Sequence, residues 1–453
     1  MALGEAGERA AELRREHPVA PETYPGAAYG FFVVFMLALS YIFAFVDRAS
    51  LSLVIDPIRH DLGLNDTEVS TLAGLAFVIC FCIFSFPFGR WIDRGTRRNA
   101  VVLGVALWSV ATVACGFAAG FWQLFAGRMA VGVGEASVNP AAYSMIPDCF
   151  PPEKRGFPLA IYATGAPIGA GLAVYLGSLL LKWAMTAHPA LPLVGVLAPW
   201  KILFIGIGAP GLLVALLFLV LVREPARREA GTGESVSLKE VFGYVLTHFR
   251  LFALTFVGFG GFAISNYAFV VWGPVYFMRL HHLSVTDVGL INGLGFAVFG
   301  TLGMLAGGLW SDQVTKSGRP ESPVSVCRIV AALQLPFFVA AYLLSSTTAA
   351  VILYCAGMFT ASMVGGLQGS MVQALTPNRM RGQMGALFLT TVNTLGLGVA
   401  PLLTASMTDY VFGGPQGVGK SLAVTTFVSL SISVALLTLA LPAARERARA
   451  ILK

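Results

Sequence analysis

Charge is what this sequence has least of. Of its 453 residues only 12% are charged, while 56% are hydrophobic, and the mean hydropathy is +0.76. A water-soluble chain of this length needs roughly a quarter of its residues charged to cover its surface, so a soluble globular fold is excluded. Cysteine offers little either. The six (Cys80, Cys82, Cys115, Cys149, Cys327, Cys355) lie in or beside apolar stretches, with neither zinc-ligand spacing nor a disulfide framework, and read as packing residues. The six histidines fall in tails or at the ends of apolar runs, so none is placed to relay protons at membrane depth. An H-E-x-x-H pair, a nucleophile elbow and a phosphate-binding loop are all missing, which argues against a membrane enzyme and against any cofactor. A sensor would need a sizeable soluble effector domain, and no stretch of sequence supplies one.

What is present is a series of about twelve apolar runs, each near the ~20 residues that a helix needs to cross hydrocarbon. The first six are placed near Tyr29–Ile55, Glu68–Trp91, Arg98–Ala119, Phe121–Pro147, Gly156–Leu181 and Leu197–Val222. The second six are placed near Leu251–Met278, Val285–Ser311, Val324–Ser345, Ala349–Leu375, Gln383–Thr408 and Leu422–Leu441. The net charge of +7 invites a nucleic-acid reading, but its placement reports topology instead. Of 30 Lys and Arg, 23 fall in the tails and even-numbered connections, 5 in the odd-numbered ones, and Arg48 and Arg128 lie within runs. That asymmetry predicts cytoplasmic termini. The polar opening "ERAAELRREHP" lacks the build of a removable signal peptide and reads as a short frayed helix. The expected organisation is a tail over 1–28, a six-helix bundle over 29–222, a cytoplasmic linker over 223–250, a second bundle over 251–442 and a tail over 443–453.

The two halves echo one another. "GRWIDRGTRR" (89–98) follows the second run and "GLWSDQ" (308–313) follows the eighth; both hold G-x-W-x-D. "PPEKRG" (151–156) is answered by "TPNRMRG" (376–382), each opening the fifth helix of its half. Internal repeats of this kind belong to secondary transporters. "GRWIDRGTRR" resembles the signature of the major facilitator superfamily. The resemblance implies an all-α membrane protein of twelve transmembrane helices in two pseudo-symmetric six-helix bundles, acting as a monomer. It also implies a latch at helix ends, in which Gly89 permits close approach, Asp93 faces a helix N-terminus, and Arg97 or Arg98 supplies the counter-charge. A solvated loop with topogenic charge only would use the same residues, and the second copy has Gln313 where the first has Arg94.

Against this apolar background four charges stand out. Asp47 and Arg48 interrupt "YIFAFVDRASLSLVI" (41–55); Arg128 and Glu135 lie in "FWQLFAGRMAVGVGEAS" (121–137), seven apart and so on one helical face. At ~1.5 Å rise per residue Arg128 lies about 10 Å deep, Asp47 about 15 Å and Glu135 about 21 Å. Depths this similar predict pairing across a helix interface. Each charge costs at least ~2.5 kcal/mol against an apolar residue, so a functional role is the default reading. A structural cluster locking spans one and four together is compatible with the same residues. "GRMAVGVGEAS" with the Asp-Arg of the first run resembles the spinster family, which implies an amphipathic anionic lipid such as a lysophospholipid or a sphingoid phosphate as substrate. "VDRASLS" is shared in kind with organic anion:cation symporters. "TGAPIGAG" (164–171) is similar to a loose antiporter signature, although Gly165 and Gly169 also make a plain helix-packing motif.

The second half offers uncharged candidates: Asn266, Tyr267 and Trp272 in "SNYAFVVWGP" (265–274), where Gly273-Pro274 is able to break the helix, then Gln373 and Asn393. The reading is therefore alternating access with a substrate site of Arg48, Arg128, Asn266, Tyr267, Trp272, Gln373 and Asn393. Asp47 and Glu135 are the carboxylates placed to carry a coupling proton. Substrate and proton would compete for the arginines.

Overall fold

The computed structural model describes residues 24–151, 154–191, 195–227, 238–365, 367–377 and 380–452. The expected N-terminal frayed helix and Arg379 lie outside the described residues. Eleven helices there are continuous, long and apolar enough to cross a membrane. In the first half these are spans one (Ala27–Leu53), two (Asp66–Arg94), three (Arg97–Cys115), five (Gly156–Ala187) and six (Pro199–Leu221). In the second they are seven (Phe249–Leu280), eight (Val285–Lys316), nine (Ser322–Leu343), ten (Thr347–Leu375), eleven (Gln383–Val411) and twelve (Pro415–Ile451). Span four completes the set of twelve as two helices, Phe121–Glu135 and Val138–Cys149. Its break has a sequence cause. Pro140 has no N–H to offer the Ala136 carbonyl, and Ser137 turns its hydroxyl back onto the Gly134 carbonyl at 3.0 Å.

The repeat is visible in the irregularities as well as the helices. Spans two and eight each carry a π-helical turn, at Thr71–Leu75 and Phe296–Gly300. Span five is interrupted at Thr164, and its counterpart, span eleven, is π-helical over Thr394–Val399. A two-stranded hairpin, Ala190–Leu191 against Gly195–Val196, joins spans five and six and is a minor addition to an all-helical fold.

Three local expectations differ from the structure. Span seven stays helical through Gly273-Pro274, where the missing side chain of Gly273 makes room for the Tyr354 hydroxyl. The polar stretch between the halves contains a helix, Leu238–Thr247, whose Tyr244 hydroxyl donates to the Leu375 carbonyl at 2.9 Å. Span twelve does not end near position 442: its Ala- and Arg-rich continuation remains helical to Leu452, where Arg445 donates to Glu321 at 2.8 Å.

The halves meet at the end away from the first residue of span one. There Gly74 of span two lies against the Leu397 carbonyl of span eleven, where a side chain would not fit. A Cβ on Gly171 of span five would come within 3.0 Å of the Gly293 carbonyl of span eight. Polar ties reinforce this far-side seal. Asp409 of span eleven accepts from the Thr67 amide at 2.8 Å and the Thr67 hydroxyl at 2.7 Å, so one half caps a helix of the other. Toward the other face the packing opens. Gly89, Gly156, Gly369 and Gly385, on spans two, five, ten and eleven, have nothing within 4 Å of where a Cβ would stand. The structure is closed on the far side and splayed on the side carrying the chain ends.

Candidate functional site

Small residues bring the charged helices together. Gly165 and Gly169 of span five let span one approach until a Cβ would lie 3.1 Å from the Ala38 carbonyl and 2.6 Å from that of Ile42. Gly132 of span four sits on the Phe77 carbonyl of span two, and Gly134 on the Gly104 carbonyl of span three. The glycines of "GVGEAS" thus set the depth and azimuth of Glu135, which ends the first half of span four.

Two ion pairs result. Arg128 donates from Nη1 to Asp47 Oδ2 at 2.7 Å, and Thr112 of span three donates to Asp47 Oδ1 at 2.8 Å. Arg48 holds Glu135 Oε2 through Nε and Nη2, both at 2.5 Å. Asp47, Arg128 and Glu135 are at most 2% exposed, whereas the Arg48 side chain keeps 11%. Arg48 is therefore the member of the cluster that solvent reaches. Its guanidinium carbon lies 4.6, 5.1 and 5.2 Å from the ring centres of Phe77, Phe81 and Phe45. Three π-faces hold a cation against desolvation without neutralising it. Within this cluster two buried polar atoms have no partner, Arg128 Nε and Glu135 Oε1. An orphaned carboxylate oxygen costs ~1–3 kcal/mol or more, so Glu135 has an unmet claim on a proton or a water.

The second half contributes less than the sequence predicted. Tyr267 lies within electrostatic reach of Arg48, and its hydroxyl donates to Asn393 Oδ1 at 3.4 Å. Gly396 makes room for its ring. These two residues stand opposite the charged wall. Asn266, the neighbour of Tyr267, points into its own half: it accepts from Gln334 at 3.0 Å and donates to the Ala361 carbonyl at 3.4 Å. Trp272 is fully buried, donates to the Pro401 carbonyl at 3.2 Å, and belongs to the far-side seal. Gln373 is exposed on the open side, away from the ion pairs.

The latch residues are also arranged differently from expectation. Arg97 is buried and pairs with Asp148 at the end of span four and with Glu224 at 2.7 Å; it also donates to the Pro225 carbonyl at 2.5 Å. Glu224 reaches back to the Arg98 amide at 2.8 Å, a carboxylate at a helix N-terminus. Asp93 has an exposed side chain, and its carbonyl, with those of Ile92 and Gly95, is capped by Arg227. The counter-charge of Arg97 is thus Asp148 and Glu224, and the close approach expected at Gly89 is absent while the halves are splayed there.

One cluster escaped the sequence reading. Arg279 at the far end of span seven bonds Asp66 at 2.6 and 2.8 Å and Asp56 at 2.5 and 3.1 Å, with the Trp272 ring 5.5 Å beneath it. It had the look of a topogenic loop charge. The available signal was the gathering of acids, Asp56, Asp66 and Asp409 among them, at the same end of the molecule as Arg279.

Two six-helix halves, sealed at one end and parted at the other around buried ion pairs, define a membrane transporter rather than an enzyme. The family model described as Major Facilitator Superfamily matches residues 37–401, and the chain belongs to that superfamily of secondary transporters. Among relatives, an MFS-type efflux pump of Mycolicibacterium smegmatis is 26% identical over 85% of this chain and 87% of its own length. The hexuronate transporter of Bacillus subtilis is 26% identical over 87% and 94%. Protein spinster homolog 1 of Xenopus tropicalis is 27% identical over 74% of this chain and 64% of its own. The crystal structure of a bacterial homolog to the human lysosomal transporter spinster, inward-facing and unoccupied, shares the fold with a TM-score of 0.77. It is 24% identical, covering 94% of this chain and 98% of that one.

Proposed function

We propose that this transporter is of the spinster type and carries an amphipathic anion, a lysophospholipid or sphingoid phosphate, by alternating access coupled to protons. The carrying observation is Arg48: a buried cation held by one carboxylate, ringed by three phenylalanines, and still touched by solvent. A phosphate or carboxylate arriving there competes with Glu135 for the same guanidinium, while the rings favour an apolar neighbour over water. Asp47, Arg48, Arg128 and Glu135 sum to zero charge. Adding a monoanion buries one net negative charge, and protonating Glu135 or Asp47 cancels it. The unpartnered Oε1 of Glu135 supports that carboxylate as the first acceptor. The loop-charge asymmetry supports cytoplasmic termini in an inner or other bounding membrane, which makes the described state inward-open.

A second reading, an organic anion:cation symporter for a small water-soluble anion, is favoured by the likeness to the hexuronate transporter over 94% of that protein's length. Reconstitution into liposomes with a panel of lysolipids, sphingoid phosphates and sugar acids under imposed pH gradients separates the two. Uptake of sugar acids alone overturns the lipid reading, and gradient-independent flux of every substrate overturns proton coupling.

A further inference from the structure

A chain of aromatic rings leads away from Arg48 toward the open side. Phe45, against the guanidinium, is met edge-on by Tyr41 at 5.1 Å and 82°. Tyr41 stacks on Tyr162 of span five at 4.7 Å and 18°, and Tyr162 meets Tyr143 of span four edge-on at 5.9 Å and 78°. The Tyr162 hydroxyl is committed to Asn139 at 2.5 Å. Tyr162 is 1% exposed and Tyr143 is 55% exposed, so the chain ends in a ring that nothing covers. The chain borders the other half as well, since Tyr41 lies within electrostatic reach of Arg48 and of Tyr267. Asn139 and Tyr143 are four residues apart on one face of the second helix of span four, which continues from the break after Glu135 toward the opening.

The geometry points to Tyr143, backed by Tyr162, Tyr41 and Asn139, as a length-selecting subsite that binds the apolar body of the substrate while Arg48 binds its acid. This deepens the anion-carrier reading and rests on it. Tyr143 lies eight positions beyond Glu135, across the break in span four, a separation on the order of 12 Å at ~1.5 Å per residue. A six-carbon sugar acid held at Arg48 does not span that length, whereas a single hydrocarbon chain does. The subsite therefore adds affinity only to ligands that reach it.

The test uses the full-length protein in nanodiscs and a series of straight-chain monoalkyl phosphates from ethyl to dodecyl, with binding measured for wild type and variants. Comparing each variant with wild type in the same bilayer cancels partitioning of the longer probes into lipid. Wild-type affinity rises with chain length, and Tyr143→Ala removes roughly tenfold of that gain for dodecyl phosphate while leaving ethyl phosphate unchanged, as expected for losing one aromatic contact. Tyr143→Phe retains the gain, since the ring and not the hydroxyl makes the contact. Equal weakening at every chain length by Tyr143→Ala marks a structural role and overturns the proposal, as does dodecyl affinity that the Ala variant leaves intact. Failure of wild type to bind any alkyl phosphate, with binding of sugar acids retained, overturns both the subsite and the lipid reading. If Arg48→Ala spares ethyl phosphate binding, the anion-site reading fails separately.

Discussion

Replacing Arg279 by alanine should release the far-side seal. Its guanidinium joins the halves through Asp56 and Asp66, which belong to the first half while Arg279 belongs to the second. Removing one partner of a buried ion pair costs ~3–5 kcal/mol when the other is left unpaired. Two features reduce that here: the Asp56 side chain is 27% exposed, and Arg59 remains 3.5 Å from Asp66. About 2–3 kcal/mol is then lost from the closed arrangement. Once the halves part on that side, Arg279 no longer bridges both acids, so the opposite arrangement loses almost nothing. The equilibrium accordingly moves toward far-side opening by roughly 30- to 150-fold.

Spin labels on His60 and Lys420, exposed residues of opposite halves at the far side, report this directly as a distance distribution in nanodiscs. The alanine variant should show a new, longer population. Arg279→Lys should be intermediate, because an ammonium does not bridge two carboxylates with a planar fork. An unchanged distribution in folded Arg279→Ala protein would mean that the backbone contacts at Gly74 and Gly171 carry the seal, and the ion-pair argument would fail.

Arg128→Ala should abolish transport while the protein still inserts, and Arg128→Lys should transport poorly because Asp47 loses its bidentate-capable partner; near-normal flux in vesicles would remove Arg128 from the mechanism. Asp93→Asn breaks no side-chain contact in the state described, so any rise in the population open on the terminus side comes from loss of a contact in the opposite state; cysteine labelling from the terminus side that stays unchanged would limit this Asp to a solvated-loop role. At least one of Asp47→Asn and Glu135→Gln should keep substrate exchange between equally loaded compartments yet lose accumulation driven by a pH gradient. A double variant that still accumulates substrate on a pH gradient would end the proton-coupling proposal.

Some of this site was legible because charge inside an apolar run has few explanations. Asp47, Arg48, Arg128 and Glu135 are visible in the sequence for that reason, and helical rise alone places them at matching depths. Which acid meets which base was not legible, and neither was the fate of Arg97, whose partner Glu224 lies 127 positions away on the far side of the bundle sequence. Arg279 was hidden by a different effect. At a helix end a cation satisfies the loop-charge pattern, and nothing in the sequence distinguishes a free charge from a seal. Asn266 and Trp272 were misplaced because span seven is buried over 67% of its apolar window. A helix that is apolar all round has no phase from which to read the face that turns toward a cavity.

The location of the ion pairs constrains how they can drive transport. Asp47–Arg128 and Arg48–Glu135 both join span one to span four, inside a single half. Breaking either one rearranges that half without pulling the two halves together, since neither pair crosses between them. From the second half the Tyr267 hydroxyl lies within electrostatic reach of Arg48 and donates to Asn393, and both residues are uncharged. A ligand whose acid takes Arg48 from Glu135 and whose remaining oxygens accept from Tyr267 would supply the missing bridge. The same event would leave Glu135 without its cation, so on the proton-coupled proposal its protonation follows from substrate binding rather than being a separate step. Far-side opening meanwhile needs the Arg279 ties to break, and Asp56 follows Arg48 by eight residues along the outer continuation of span one. The proposed substrate site and the seal thus share one helix and its extension, which would give binding a physical route to the gate.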